Sequence, residues 1–458
     1  MRRIFINGIV VTMNKNRDVY ENGYIVTEGT KILETGPMEK LDLKKQKASC
    51  SPENPEGMGA GDEIRLTDAR RAIVMPGFVN THCHMGMIPF RGLGDDCEDR
   101  LRRFLLPMES RAMDRELAAA SSRYALCEML LSGTTTVMDM YYFEDAVAEV
   151  MDEMGVRGIA GETVMEDATC DAASPEAAIS LGTALIERYR NHPRIRGCLA
   201  PHGTTTCSSG TLQRIYELDC KNRVLFTLHT AEMDYEIKYL KETFKCTPVE
   251  YLDKLGLLGE NSLLAHSIQV TSWDTQILKI RGSGVAHCIG SNTKAAKGVA
   301  PVSRMRELGI TVGLGTDGPA SGNTLDMFTQ MKFCANFHKN ETRDRSAFPA
   351  QEIVAMATTE GAKALGLGSV TGSLEPGKEA DIILVETDSP NMFPVYDPYA
   401  ALVYSAQSFN VRDVYVAGTC LVRDKKMAHG DFRQIREALD EKMERTDFRK
   451  MNNMLGFH

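Results

Sequence analysis

No Cys-X-X-Cys pair occurs among the twelve cysteines of this 458-residue chain. They stand singly in apolar segments, which excludes a disulfide framework or a zinc ribbon and leaves reduced core thiols. Nor is there a run of about eighteen apolar residues, so no membrane-spanning helix is predicted. Basic residues form no long cluster and the net charge is −9, which argues against a nucleic-acid or anionic-membrane surface. The opening Met1-Arg2-Arg3-Ile4-Phe5-Ile6-Asn7-Gly8 turns polar too early for a signal peptide, and a cytoplasmic location is expected. Tryptophan occurs once, at Trp273, read as the start of a helix with a packing or surface role. Internal repeats and low-complexity segments are missing as well.

What is present suits a large soluble enzyme with one big domain and a smaller one: 43% hydrophobic and 25% charged residues over a chain able to bury a sizeable core. Residues 1–71 read as short strands and turns. From residue 72 to 370, short β-rich apolar runs alternate with longer amphipathic helical stretches, the pattern of repeated βα units around a parallel sheet. Eight such runs are predicted: Phe78 to His84, Thr135 to Met140, Gly158 to Val164, Ile195 to His202, Val224 to Glu232, Ser262 to Ile268, Gly284 to Ser291 and Thr311 to Asp317. Eight strand-then-helix units imply an α/β fold, a (β/α)8 TIM barrel whose functional groups gather at the carboxyl ends of its strands. Residues 371–430 return to strands without helices. Neither they nor residues 1–71 carry enough apolar surface alone, so the two ends are expected to pair into one small β-sandwich. Residues 431–458 form a charged tail of helical pattern.

The first strand ends Asn80-Thr81-His82-Cys83-His84. Side chains alternate across a strand, so two imidazoles share one face with Cys83 on the other, and neutral imidazole pairs suit borderline divalent ions. On its own a His-X-His is as readily two unrelated polar residues. Downstream, however, His202, His229, His266 and His287 also fall at or near predicted strand ends, which converge in a barrel. The fifth strand closes Leu228-His229-Thr230-Ala231-Glu232, and the eighth closes with Asp317 beside the first. Three imidazoles and one carboxylate around a metal leave a position for water, whose pKa the ion lowers toward neutrality.

Pro76-Gly77-Phe78-Val79-Asn80-Thr81-His82-Cys83-His84, His229-Thr230-Ala231-Glu232, Ala265-His266, Ala286-His287-Cys288, Ser291-Asn292 and Gly315-Thr316-Asp317-Gly318-Pro319-Ala320-Ser321 together closely resemble the metal-dependent amidohydrolase superfamily. Within it the likeness is to the branch of S-adenosylhomocysteine and methylthioadenosine deaminases, guanine-type deaminases and triazine hydrolases, over nearly the whole chain. The resemblance implies one divalent ion, zinc with iron(II) as the alternative, bound by His82, His84, His229 and Asp317. It implies Glu232 as proton shuttle, His266 near the nucleophilic water, and Asp317 passing a proton to the departing amine. A homo-oligomer, dimer or tetramer, is also implied. Binuclear relatives need a lysine at the end of strand four, where this chain has Pro201-His202, so a single ion is expected.

The expected function is hydrolytic deamination of a purine-like or related nitrogen heterocycle, with release of ammonia. Triazine-type dechlorination or N-dealkylation is the alternative, and a non-catalytic binding barrel the remote one. Chloride leaves without a proton, so Glu232 favours an amine leaving group. Through the same resemblance Glu109, His202 and Ser321 are expected at the substrate, against a surface charge, a structural imidazole and a helix cap respectively. His287 reads as a packing residue. Two departures bear on the substrate: no tryptophan stands in Asp99-Arg100-Leu101-Arg102-Arg103-Phe104, where adenosine-type relatives commonly place one. Homocysteine-handling relatives carry a basic residue near the end of strand three, whereas here Glu162 is expected to repel a substrate carboxylate.

Overall fold

The computed structural model describes residues 1–48, 64–446 and 448. Its strands are β1 (Arg2–Val11), β2 (Val19–Glu28), β3 (Lys31–Pro37), β4 (Ile64–Asp68), β5 (Ile73–Pro76), β6 (Phe78–Cys83), β7 (Thr134–Tyr141), β8 (Arg157–Val164) and β9 (Ile195–Pro201). They continue with β10 (Phe226–Thr230), β11 (Ser262–His266), β12 (Gly284–His287), β13 (Val312–Leu314), β14 (Ile382–Val385), β15 (Val411–Val416), β16 (Thr419–Arg423) and β17 (Lys426–Met427). Strands β6 to β13 lie at the eight positions read from the apolar runs, each separated from the next by helix.

These eight strands make two parallel four-stranded sheets in chain order, β6 to β9 and β10 to β13. At one junction Gly203 bridges His229. At the other the Asp317 amide donates to the His82 carbonyl at 3.0 Å. The enclosed space is filled by Val79, Met138, Met140, Ile159, Ala200, Leu263, Ala265 and Ala286, and Ala362, Leu365 and Leu367 belong to the same cluster. The surrounding helices start on local caps. Asp114, Ser174, Ser208, Thr247 and Thr271 each accept a hydrogen bond from a backbone amide of the first helical turn, satisfying donors that have no partner inside the helix.

The two ends of the chain share one nine-stranded sheet, ordered β17-β16-β15-β14-β5-β1-β2-β3 with β4 beside β1. Were it flat, β1 and β15 would lie about 14 Å apart, three strand spacings. Instead the Phe5 and Tyr415 rings meet edge-on with centroids 5.0 Å apart. The sheet therefore curls over a core of Phe5, Ile25, Ile32, Val74, Ile382, Leu384 and Tyr415, which gives it the two layers of a sandwich. It is tied to the barrel by an ion pair: Arg157 of β8 forks onto Asp381, Nε to Oδ2 at 2.8 Å and Nη2 to Oδ1 at 3.2 Å, both side chains buried. Of the tail, helix Phe432–Glu444 buries Leu439, with Lys442 and Arg445 meeting Glu116. The rest of the tail, from Arg449, lies outside the described residues.

Six barrel strands end before their apolar runs do. The first and fourth stop one residue early, at Cys83 and Pro201, and the fifth ends at Thr230, the sixth at His266, the seventh at His287 and the eighth at Leu314. The backbone enters the left-handed region at or just after two of these ends, at Ala231 (φ 52°) and His266 (φ 68°), and again at Asp317 (φ 60°), three residues past β13, a conformation that re-aims the side chain. At the seventh, a helical turn, Ile289–Lys294, takes over instead.

Candidate metal centre and active site

Strand β6 does not follow strict alternation. Val79 packs inside the barrel, so an unbroken period of two would point Cys83 inward as well. A register irregularity between Asn80 and Cys83 reverses the parity. Cys83 packs outward instead, its thiol 3.0 Å from Asp139 Oδ1, and the two histidines turn toward the centre. There the His82 ring meets His84, His229 and His266 edge-on, with centroids 4.7, 4.9 and 5.5 Å away.

The outer nitrogens are committed. His84 Nδ1 donates to the Met140 carbonyl, and His229 Nδ1 donates to that of His202 at 2.7 Å. Each bond places a hydrogen on Nδ1 and turns Nε2 toward the centre. The two Nε2 atoms come within 3.3 Å of each other, and His84 Nε2 lies 3.2 Å from Asp317 Oδ1. His82 is fully buried and, among the described residues, neither of its nitrogens has a hydrogen-bond partner. Two overlapping groups, His82–His229–His266 and His82–His84–Asp317, each bring their donor atoms within 4.8 Å, close enough to hold a metal ion.

The electrostatics match that arrangement. Burial, reinforced by neighbouring imidazoles, holds His82 and His229 well below the usual histidine range, so both are neutral with free lone pairs. His84 goes the other way. Burial opposes its charge, but the hydrogen bond and attraction to Asp317 prevail and raise it to about 9. Asp317, which burial alone would push up, is held well below the carboxylate range by the His84 hydrogen bond and the surrounding imidazoles. The spot thus draws positive charge. Ser291 donates to the other oxygen of Asp317.

A cavity of about 720 Å3 opens above, bordered by His84, His202, His229, Glu232, His266 and Asp317 among others, with His82 behind its wall. Glu232 Oε1 lies 3.6 Å from His266 Nε2 and accepts a hydrogen bond from the Lys297 ammonium. Burial pushes the Glu232 carboxyl up, yet His266 and the Lys297 ammonium outweigh it and hold the group down at about 2. His266 Nδ1 is 2.8 Å from Asn292 Oδ1, which anchors the ring and leaves Nε2 toward Glu232.

The expected substrate residues Glu109, His202 and Ser321 all border the cavity. Glu109 accepts from the Tyr141 hydroxyl at 2.6 Å, and burial raises it to about 7. His202 Nδ1 pairs with Thr206 Oγ1 at 3.0 Å; burial, with the His84 charge, lowers it to about 4. His287 faces away from the cavity, its Nε2 3.1 Å from that of His338, with Cys334 beside them. Trp273 is an exposed helix start, 58% accessible. The expectation for Glu162 needs correcting. Its side chain is buried behind β8 and accepts from the Glu144 amide at 3.2 Å, so it cannot repel anything in the cavity, which Thr163 borders instead. Residue 163 follows 162 on a regular strand and so takes the opposite face.

Lys297 was not anticipated. A lone lysine in Ala295-Ala296-Lys297-Gly298 reads as a solvated charge, and only the fold of the loop after β12 carries it to Glu232. Tyr141 escaped too, since it stands one residue past the second predicted run.

Donors converging at the carboxyl ends of parallel strands, with a buried carboxylate alongside, are how barrel hydrolases build their centres. The chain belongs to the amidohydrolase family, whose model matches residues 73–421. It is 33% identical over 447 residues, 97% of each chain, to a 5-methylthioadenosine/S-adenosylhomocysteine deaminase of Syntrophobacter fumaroxidans. To a 5'-deoxyadenosine deaminase of Methanosphaera stadtmanae it is 37% identical over 370 residues, 80% of this chain and 86% of the other. Among solved structures it superposes on an adenosine deaminase from Xanthomonas campestris with bound zinc at a TM-score of 0.89 and 27% identity, covering 97% of this chain and 98% of that one.

Proposed function

We propose that the protein is a metal-dependent hydrolytic deaminase of adenosine-like heterocycles, with His82, His84, His229 and Asp317 holding one zinc ion. The observation that carries this reading is the pair of nitrogens on fully buried His82 that find no partner among the described residues, set among imidazoles whose second nitrogens are already committed. A buried imidazole with neither nitrogen bonded is costly unless a ligand completes it. When bound, a divalent cation acidifies water and so supplies a nucleophile near neutral pH.

The chain's own residues handle the protons. Glu232 is ionised at neutral pH, so it enters the cycle as a base. It collects a proton from the water and passes it to the ring nitrogen beside the carbon under attack, which becomes electrophilic as that nitrogen is protonated. His266, steadied by Asn292, faces the position where negative charge develops. Asp317, steadied by Ser291, takes the second proton to the departing amine. Glu109 offers a carboxyl group to substrate hydroxyls, and His202 and Ser321 border the same space. Chloride would leave without the second proton, which only a departing amine needs, and the likeness to relatives named as deaminases favours ammonia as the product.

Zinc-loaded protein screened for ammonia release with adenosine derivatives, guanine derivatives, pterins and triazines tests the proposal. Release from an adenosine derivative supports it. Release of chloride alone from a chlorotriazine, or no release from any of them by protein carrying a full equivalent of zinc, overturns it.

A further inference from the structure

We infer that the cavity mouth selects substrates whose outer substituent is neutral or cationic and turns away those carrying a carboxylate or phosphate. This rests on the deaminase reading above and assigns the substrate class of the same site.

Four basic side chains border the cavity, and each is already engaged. Arg100 is tied to the carbonyls of Leu93 and Ala320 and lies 3.3 Å from Asp95. Arg102 pairs with Asp99 at 2.8 Å and lies over the Tyr235 ring, 4.4 Å from its centroid. Lys294 bonds Asp95 at 2.9 Å and Asn323 at 2.6 Å. Lys297 is held by Glu232. An anionic substituent would have to displace one of these contacts and leave a protein carboxylate unpaired in exchange.

The acids are arranged otherwise. Asp96, Glu98 and Asp234 border the same cavity and are exposed, with no cationic partner among the described residues; Asp234 accepts only from the Gln269 amide, at 2.8 Å. Asp96 and Glu98 lie on the loop after β6 and Asp234 lies just beyond β10. The contact of Arg102 with Tyr235 brings these two loops together, so a substituent leaving the cavity passes between unpaired carboxylates. Like charges brought together oppose binding and slow encounter, while an ammonium group gains on both counts. The repulsion that sequence reading located at Glu162 is thus exerted from the mouth.

The test uses three probes with one adenine ring: 5'-deoxyadenosine, 5'-amino-5'-deoxyadenosine and adenosine-5'-carboxylate, assayed by ammonia release with the zinc-loaded full chain. The amine is expected to equal or exceed the neutral probe in kcat/KM, and the carboxylate to fall at least about tenfold below it at low salt, with the gap shrinking as salt screens the charges. In the exposed double variant Asp96→Lys/Glu98→Lys the carboxylate-to-neutral ratio is expected to rise several-fold. A carboxylate probe processed as well as the neutral one, or a ratio unmoved in the variant, overturns the inference while the deaminase reading stands. Failure of all three probes sinks that reading, and this inference with it.

Discussion

Lys297, from the loop after β12, donates a hydrogen bond from its ammonium to the carboxylate of Glu232, from the loop after β10, and after His266 is the group that does most to keep this acid ionised. The carboxyl would otherwise be pushed up by burial. Lys297→Met is therefore expected to move Glu232 protonation upward, shifting the acid limb of the kcat/KM profile to higher pH. The sign also applies to folding. A carboxyl depressed to about 2 stabilises the fold above its ordinary value of 4.5, and that contribution is lost as pH falls toward 2. Acid unfolding of the metal-free variant is expected to begin at higher pH than that of the metal-free parent. An unchanged profile would remove Lys297 from this role.

Glu232→Gln keeps the shape and the contact with Lys297 but cannot carry a proton. Metal analysis should find the parent's stoichiometry, while turnover drops by at least about a hundredfold. Near-normal ammonia release would show that another group moves the proton.

Asp317→Asn removes the charge that raises His84 and completes the proposed ligand set. Both zinc retention during dialysis against a chelator and the rate are expected to fall, the affinity by about ten- to a hundredfold or more. Full occupancy and full activity would exclude Asp317 as a ligand.

Chelation of the parent enzyme should abolish ammonia release, and one equivalent of zinc should restore it. A folded protein that never takes up metal would favour a non-catalytic barrel.

At the far end of the molecule, Asp381→Ala removes the two-point partner of the buried Arg157 guanidinium and leaves it the Glu379 carboxylate at 3.6 Å and the Pro193 carbonyl. Urea unfolding is expected to show a loss of about 3–5 kcal/mol. The double replacement Arg157→Met/Asp381→Leu should recover much of it, because no charge is left buried alone. A single variant as stable as the parent would mean that water reaches the site.

Much of this could be read along the chain. Apolar runs and helical stretches repeat with local periods, so eight barrel strands were countable, and each of the proposed ligands sits at a strand end where a closed barrel must gather it. Where each strand stops was less legible. Ala231, His266 and Asp317 take left-handed backbone that no residue preference demands of alanine; the Ala231 carbonyl accepts from the Ile268 and Gln269 amides and the Asp317 amide donates to the His82 carbonyl, bonds between segments far apart in the chain.

The amino-acid order by itself determined the βα alternation, the pairing of the two chain ends and the residue types gathered at the centre, because burial patterns and strand ends are local properties. Tertiary structure alone decided which way side chains face and which charges meet. The parity switch in β6 that turns His82 and His84 inward, the outward burial of Glu162 and the reach of Lys297 to Glu232 all depend on where distant segments come to lie. Charge interactions act through space across a few ångströms, and separation along the chain says nothing about that distance.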